Sequence, residues 1–195
     1  MEILVADGAL VERRLPEFGR LLSEQTVVPP WNLKWAPGSI DDPESATGFL
    51  HMLHQNGGRF VVALDDDIIA GVGVTICLSC DQLLDDLHVR ELGANVGDEY
   101  LAAVVVDPEQ RKHGVFTRLA ELRVQIARER AAASRNGHKP TAWVRTHPDV
   151  DPVIRVYTRM GFELCGEYAP PLGGVCAPRV VMKMMLDAVP TDVVY

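Results

Sequence analysis

Several things are missing from this 195-residue chain, and each absence removes a class of protein. There is no apolar run of the roughly 18 or more residues that a membrane-spanning helix needs, so no membrane partner is expected. Met1 leads straight into Ile3-Leu4-Val5 without the basic segment that opens a signal peptide, and a cytoplasmic location is expected. A surplus of positive charge is missing too. The formal net charge is −8, which argues against nucleic acid as a partner. Cysteine is scarce, with four residues at 77, 80, 165 and 176. Cys77-x-x-Cys80 invites a zinc or redox reading. The pair ends an apolar strand (71–78), however, where residues three apart point to opposite faces. No CxxH or HxxxH spacing accompanies it, so no metal is expected and reduced, packed thiols are.

What is present is a globular chain. Apolar residues make up 47% of it, enough for one domain over 1–195 with a sizeable core. The charge is uneven. Residues 111–139 hold eight Lys/Arg against two Glu, a local +6 that leaves −14 for the rest. A basic island on an acidic protein suits a polyanionic small ligand such as a phosphorylated cofactor. A solvated, Arg-rich helix face accounts better for Arg128, Arg130 and Arg135 than for Arg111 and Lys112.

The chain is organised around residues 100–127. An apolar, Val-rich run at 101–106 reads as a buried strand, broken by Asp107-Pro108 because proline has no N–H for a ladder. A basic glycine turn follows, Arg111-Lys112-His113-Gly114. Beyond it, Val115, Leu119, Leu122 and Ile126 are spaced four, three and four apart, one face of a helix. A strand, a basic glycine turn and a helix N-terminus together make an anion site, since the first N–H groups of a helix are unpaired.

Arg111-x-x-Gly114 after that strand resembles the acetyl-CoA signature of the GNAT N-acetyltransferase superfamily, usually Gln/Arg-x-x-Gly-x-Gly/Ala. Phe116 at the last position departs from it. Some forty residues on, Val156-Tyr157-Thr158-Arg159-Met160-Gly161-Phe162 resembles the second motif of that family, a tyrosine four residues before Gly-Phe. The two motifs in this order imply a GNAT fold, an α/β domain with a central mixed twisted sheet of six to seven strands and about four flanking helices.

The remaining segments read compatibly. A strand at 2–6 precedes a helix at 10–22 with apolar residues at 10, 11, 15, 18, 21 and 22. Residues 26–42 form a proline-rich loop carrying Trp31 and Trp35. Asp42-Pro43 offers a cap and a first-turn proline for a second helix running to about Gln55. Strands at 59–64 and 68–78 make a hairpin tipped by three aspartates. Gly71-x-Gly73 sits inside a strand with no third glycine opening a helix, so it is not a dinucleotide fingerprint. The stretch 81–97 yields little beyond a short helix near 82–88. The central helix runs to about Arg135, capped by Asn136-Gly137. A strand at 141–146, a helix opened by Asp151-Pro152 and strands at 162–168 and 179–186 complete the chain.

The resemblance implies acetyl-CoA, or another acyl-CoA, as co-substrate, with transfer to a primary amine. Its pyrophosphate would lie on the amides of Lys112, His113, Gly114, Val115, Phe116 and Thr117, with Arg111 beside them. Its pantetheine arm would pair with the strand edge at Val104, Val105 and Val106. Tyr157 is implied as the acid for the leaving thiolate, a phenol being protonated at neutral pH; the alternative is a ring packed on the apolar face of its helix. Glu99 is the nearest carboxylate that could take the proton of the acceptor, with His147 and Asp149 as alternatives. Val150 stands where the family commonly has asparagine. Trp31 and Trp35, on a loop that closes the acceptor side in this family, are expected to contact a small cationic amine. A homodimer is compatible with this reading. Two others stay open: a non-catalytic acyl-CoA-binding module on the same fold, and a thiol redox protein using Cys77 and Cys80.

Overall fold

The computed structural model describes residues 1–31, 33–37, 40–42, 44–133, 140–168 and 179–186. Strand β1 (Glu2–Val5) leads into α1 (Gly8–Thr26), whose first turn is capped by the Asp7 carboxylate accepting from the Leu10 N–H at 2.7 Å. Helix α2 (Ala46–Gln55) begins later than Asp42-Pro43 suggests. Its cap is Ser45, whose Oγ accepts from the Gly48 N–H at 2.9 Å, while Pro43 lies outside the described residues. Strands β2 (Arg59–Asp65) and β3 (Ile68–Cys77) form the expected hairpin, turning through Asp66 at φ 55°. Then follow α3 (Asp81–Asp86), β4 (Glu99–Val106), α4 (Val115–Ala133), β5 (Thr141–Thr146), α5 (Asp151–Arg159), β6 (Glu163–Tyr168) and β7 (Arg179–Met185). The cap expected at Asn136-Gly137 lies outside the described residues.

The seven strands form one mixed sheet in the order β1-β2-β3-β4-β5-β7-β6, antiparallel except where β4 meets β5. Seven strands fit the expected six to seven, and α3 brings the helices to five. Apolar periodicity decides the layering. Helices α1, α2 and α3 cover one face over a core that includes Phe18, Leu50, Phe60, Tyr100 and Trp143. Helices α4 and α5 cover the other, with Leu101, Val124, Val144, Tyr157 and Phe162 between them and the sheet. Helix α4 lies close on β3. A Cβ on Gly71 would stand 3.0 Å from Leu119 Cδ1, and one on Gly73 would stand 2.7 Å from Arg123 Cδ. Gly71-x-Gly73 is therefore a seat for a helix.

The junction of β4 and β5 positions the site. These strands pair only at Glu99↔Ala142 and Tyr100↔Trp143. At the same level Thr75 of β3 faces both Leu101 and Ala102, a bulge in β4. The extra residue flips the alternation. Leu101, Val104 and Val106 pack towards α4, whereas Tyr100 and Val105 face α1 and α2. The closed end is pinned by the buried Asp98 carboxylate, which accepts from Trp143 Nε1 at 2.8 Å, Thr141 N–H at 2.9 Å and Asn95 N–H at 3.0 Å. Beyond the bulge β4 has no ladder to β5, and Ala102, Ala103 and Val104 are half-buried in a strand otherwise buried. The sheet is split there into a V.

Candidate active site

One wall of the V is the free edge of β4. Val104, Val105 and Val106 pair with Gly73, Val72 and Gly71 of β3 on their other side, so their remaining backbone groups face the opening. At the open end the chain turns through Lys112 (φ 68°) and Gly114 (φ 76°) into α4. A Cβ built on Gly114 would meet nothing within 4 Å, so the backbone conformation demands the glycine and the space above it is open. The first amide of α4 with a backbone acceptor is Arg118, donating to Gly114 O at 3.1 Å. Among the described residues the amides of Lys112, His113, Gly114, Val115, Phe116 and Thr117 have none. They are left as donors for an anion.

The side chains of that turn divide. Lys112 and His113 are exposed. Arg111 turns away, its Nη2 donating to Gln25 Oε1 at 2.6 Å and its Nε to Val106 O at 3.4 Å, so it ties the turn to the end of α1. Val115 is buried under the sheet and Thr117 is half-buried. Phe116, where the signature calls for a small residue, sets its ring edge-on to Tyr157 at 5.9 Å.

Tyr157 itself is fully buried, held between Phe116 and Phe162, the latter at 5.2 Å. It shares its apolar cluster with Leu101 at the bulge and Val144 of β5, which places it beside the split strands. Its hydroxyl accepts from Arg123 Nη1 at 3.0 Å. Arg123 is also fully buried and donates through Nε and Nη2 to Val74 O at 3.1 and 2.9 Å. Burial pulls its pKa down, opposed by Tyr157.

Glu99 lies at the closed end of the V. Its carboxylate meets Arg130 Nη1 at 3.3 Å, and Arg130 in turn donates to Gly57 O at 2.7 Å. Burial pushes the Glu99 carboxyl up to about 7 despite that arginine. Arg123 and Arg130 stand seven residues apart on α4, about 10 Å along the axis. The fold does not bring Glu99 and Tyr157 together.

The loop tryptophans also part company. Trp31 meets His147, at the end of β5, edge-on at 6.0 Å, and the Arg179 guanidinium lies 5.1 Å over its ring. Trp35 instead packs on Phe49 at 5.8 Å and donates its indole N–H to Thr26 Oγ1 at 2.7 Å, within the seam of α1 and α2. His147 is buried and its pKa is lowered by that burial. Its Nδ1 accepts from the Asp149 N–H at 3.1 Å, so the neutral ring carries its proton on Nε2 and has no free base nitrogen. Residues 169–178, between β6 and β7, lie outside the described residues.

These residues fit a phosphorylated thioester. The open amides suit its phosphates, and the free strand edge suits the amides of its arm. Thr146 adds a buried Oγ1 with no hydrogen-bond partner among the described residues, on the same face of β5 as Ala142 and Val144. Cys77 is half-buried beside Glu99, and burial raises its thiol; Cys80 and Cys165 are exposed rather than packed, and Cys176 is outside the described residues. No cluster that could hold a metal, and no helix long and apolar enough to cross a membrane, occurs among the described residues.

Sequence reasoning missed Arg123, grouped there with the basic island. The signal was its place midway between Leu119 and Ala127, four residues from each on the buried stripe. Nothing in the composition of 101–106 announced the bulge, since every residue there is apolar.

A family model described as the acetyltransferase (GNAT) family matches residues 24–162. No curated protein matches the chain significantly. Among solved structures, the fold is similar to that of a putative acetyltransferase, yncA, from Salmonella typhimurium with its cofactor acetyl-CoA. The TM-score is 0.65 at 15% identity, over 98% of each chain. It is also similar to a ribosomal-protein-alanine N-acetyltransferase from Brucella melitensis, with TM-score 0.64, 17% identity, 95% of this chain and 100% of that one. An aminoglycoside 6′-acetyltransferase type Ii superposes with TM-score 0.59 at 18% identity, over 97% of this chain and 100% of that one.

Proposed function

This chain belongs to the acetyltransferase (GNAT) family, and on that premise we propose that it is an acetyl-CoA-dependent N-acetyltransferase acting by direct transfer on the primary amine of a small molecule. The observation that supports the reading is the coincidence of three features: a free β4 edge, a turn of amides without backbone acceptors at its open end, and Tyr157 packed on Leu101 of the one and Phe116 of the other.

Acetyl-CoA, when bound, supplies an activated acetyl thioester. The amides of residues 112–117 hold its phosphates, each contact contributing roughly 0.3–2 kcal/mol. Thr146 and the edge of Val104, Val105 and Val106 hold its arm. Tyr157 gives its hydroxyl proton to the departing sulfur. Glu99 is committed to Arg130 at the closed end and His147 has no free base nitrogen, which leaves the exposed Asp149 carboxylate and solvent to take the proton of the acceptor ammonium.

Trp31 forms part of the acceptor wall and Trp35 does not. Arg179 covers one face of the Trp31 ring, so an acceptor cation uses the other. Outside the 111–139 island the chain carries −14, a charge balance that favours a cationic over an anionic acceptor. The test is release of free thiol from acetyl-CoA with kanamycin, spermidine, glycine or an alanine-initiated peptide. Turnover with a small polyamine or aminoglycoside supports the reading, and turnover confined to the peptide overturns the acceptor class. Thermal stabilisation by acetyl-CoA without turnover on any amine would favour a non-catalytic acyl-CoA-binding module.

A further inference from the structure

We propose that Arg123 is a positioning residue for acyl transfer: it takes the lone pair of the Tyr157 hydroxyl and so leaves that hydroxyl's proton to be delivered into the V. The inference rests on Tyr157 as the acid and adds the group that aims it. A guanidinium has N–H donors and no acceptor, so in the 3.0 Å contact with Arg123 Nη1 the phenol oxygen must accept. Its own O–H then has to point elsewhere. Among the described residues nothing accepts it.

Arg123 is itself held in place. Nε and Nη2 fork onto one carbonyl, Val74 O, immediately beside the β4 bulge that opens the V. Gly73 provides the room, since a Cβ there would press on Arg123 Cδ. The arrangement makes little sense as packing alone. A buried cation is costly to desolvate, and no carboxylate partners this one among the described residues. A leucine or methionine would fill the same stripe of α4 without that cost. The charge has a use in the reaction.

As the acceptor nitrogen forms its bond to the carbonyl carbon and the carbon–sulfur bond breaks, sulfur leaves with the electron pair and takes the Tyr157 proton. Arg123 then faces a phenolate oxygen at hydrogen-bond distance and stabilises it until the phenol recovers a proton from the newly acylated nitrogen. Amine and thioester become amide and thiol, with no co-reactant left over.

The experiment is steady-state kinetics with acetyl-CoA and whichever amine of the four above turns over fastest. The variants are Arg123→Met, Arg123→Lys, Tyr157→Phe and the double variant Arg123→Met/Tyr157→Phe. Arg123→Met should lower kcat by roughly 10- to 100-fold while KM for acetyl-CoA stays within about a factor of two. Arg123→Lys, which keeps a donor and a charge, should recover part of the loss. In the Tyr157→Phe background Arg123→Met should cost nothing more. Should Arg123→Met fail to fold, Arg123→Lys and Gly73→Ala, which displaces Arg123 without touching Tyr157, carry the same comparison. A multiplicative loss in the double variant, or full turnover in Arg123→Met, overturns the role of Arg123 and leaves Tyr157 standing. Normal turnover in Tyr157→Phe alone instead removes the acid assignment on which the inference rests.

Discussion

Tyr157 and Glu99 are both buried titratable groups on the α4 face, yet their surroundings set them to different tasks. Tyr157 sits where the split strands, the first turn of α4 and Phe162 meet, and among the described residues nothing accepts from its hydroxyl. Tyr157→Phe should lower turnover by roughly 10²- to 10⁴-fold, the range for losing a general acid, with little change in acetyl-CoA affinity. Turnover within a few-fold of normal would reduce the ring to packing. Glu99 speaks to stability. Its folded pKa of about 7 lies above the ordinary 4.5, so the folded state keeps a proton that the unfolded chain has released. The favourable contribution is therefore complete below about pH 4.5 and fades as pH rises to 7. Glu99→Gln should flatten melting temperature against pH between 5 and 8 and equal or exceed the parent at pH 8. Parallel curves for the two proteins would refute this.

At the level of elements, most of the architecture was legible and two devices were not. The strand at 141–146 and the helix opening at Asp151-Pro152 coincide with β5 and α5, because a short run of β-branched and aromatic residues and a first-turn proline are local signals. The order of strands and helices along the chain follows from the same kind of evidence. The bulge that splits β4 from β5 left no trace, since an extra apolar residue in an apolar strand changes no pattern; only the register against Thr75 reveals it. The buried face of α4 misled in a second way, because Arg123 reads as surface charge until the helix is docked on Gly73. The glycine turn was legible at Gly114, whose φ of 76° calls for glycine, but the turning of Arg111 onto Gln25 depends on α1 and lay beyond local reading. The loop between α1 and α2 makes a further test of element scale. Trp35→Ala should cost about 2–4 kcal/mol of stability and leave acceptor kinetics alone, as it unpacks Phe49 and removes the donor to Thr26 Oγ1, which keeps only its own bond to Leu22 O. Trp31→Ala should raise the acceptor KM roughly 2- to 30-fold, the worth of a cation–π contact, at near-normal stability. Chemical denaturation and acceptor titrations of the two variants separate these outcomes, and a reversed pattern would move the acceptor wall elsewhere.

Across the whole molecule the charge and the split sheet work together. An acidic protein that concentrates +6 in 111–139 spends part of that charge inside the fold, on Arg123, and part on holding elements together, through Arg130 to Glu99. What remains at the open end is the exposed Lys112 beside amides left without a backbone acceptor by the start of α4, and a strand edge left free where β4 parts from β5. An affinity near 1 μM needs about −8 kcal/mol, which several such contacts together can supply. The measurement that bears most directly on this account is a calorimetric titration of CoA into the parent protein and into Gly114→Val. A branched side chain at φ 76° would be strained and would crowd the open space over the amides, while nothing in the fold packs against it. The account predicts saturable, micromolar-range binding to the parent, and for a variant that melts as a folded protein at least a 100-fold weaker affinity. Equal affinity in the two proteins would contradict it.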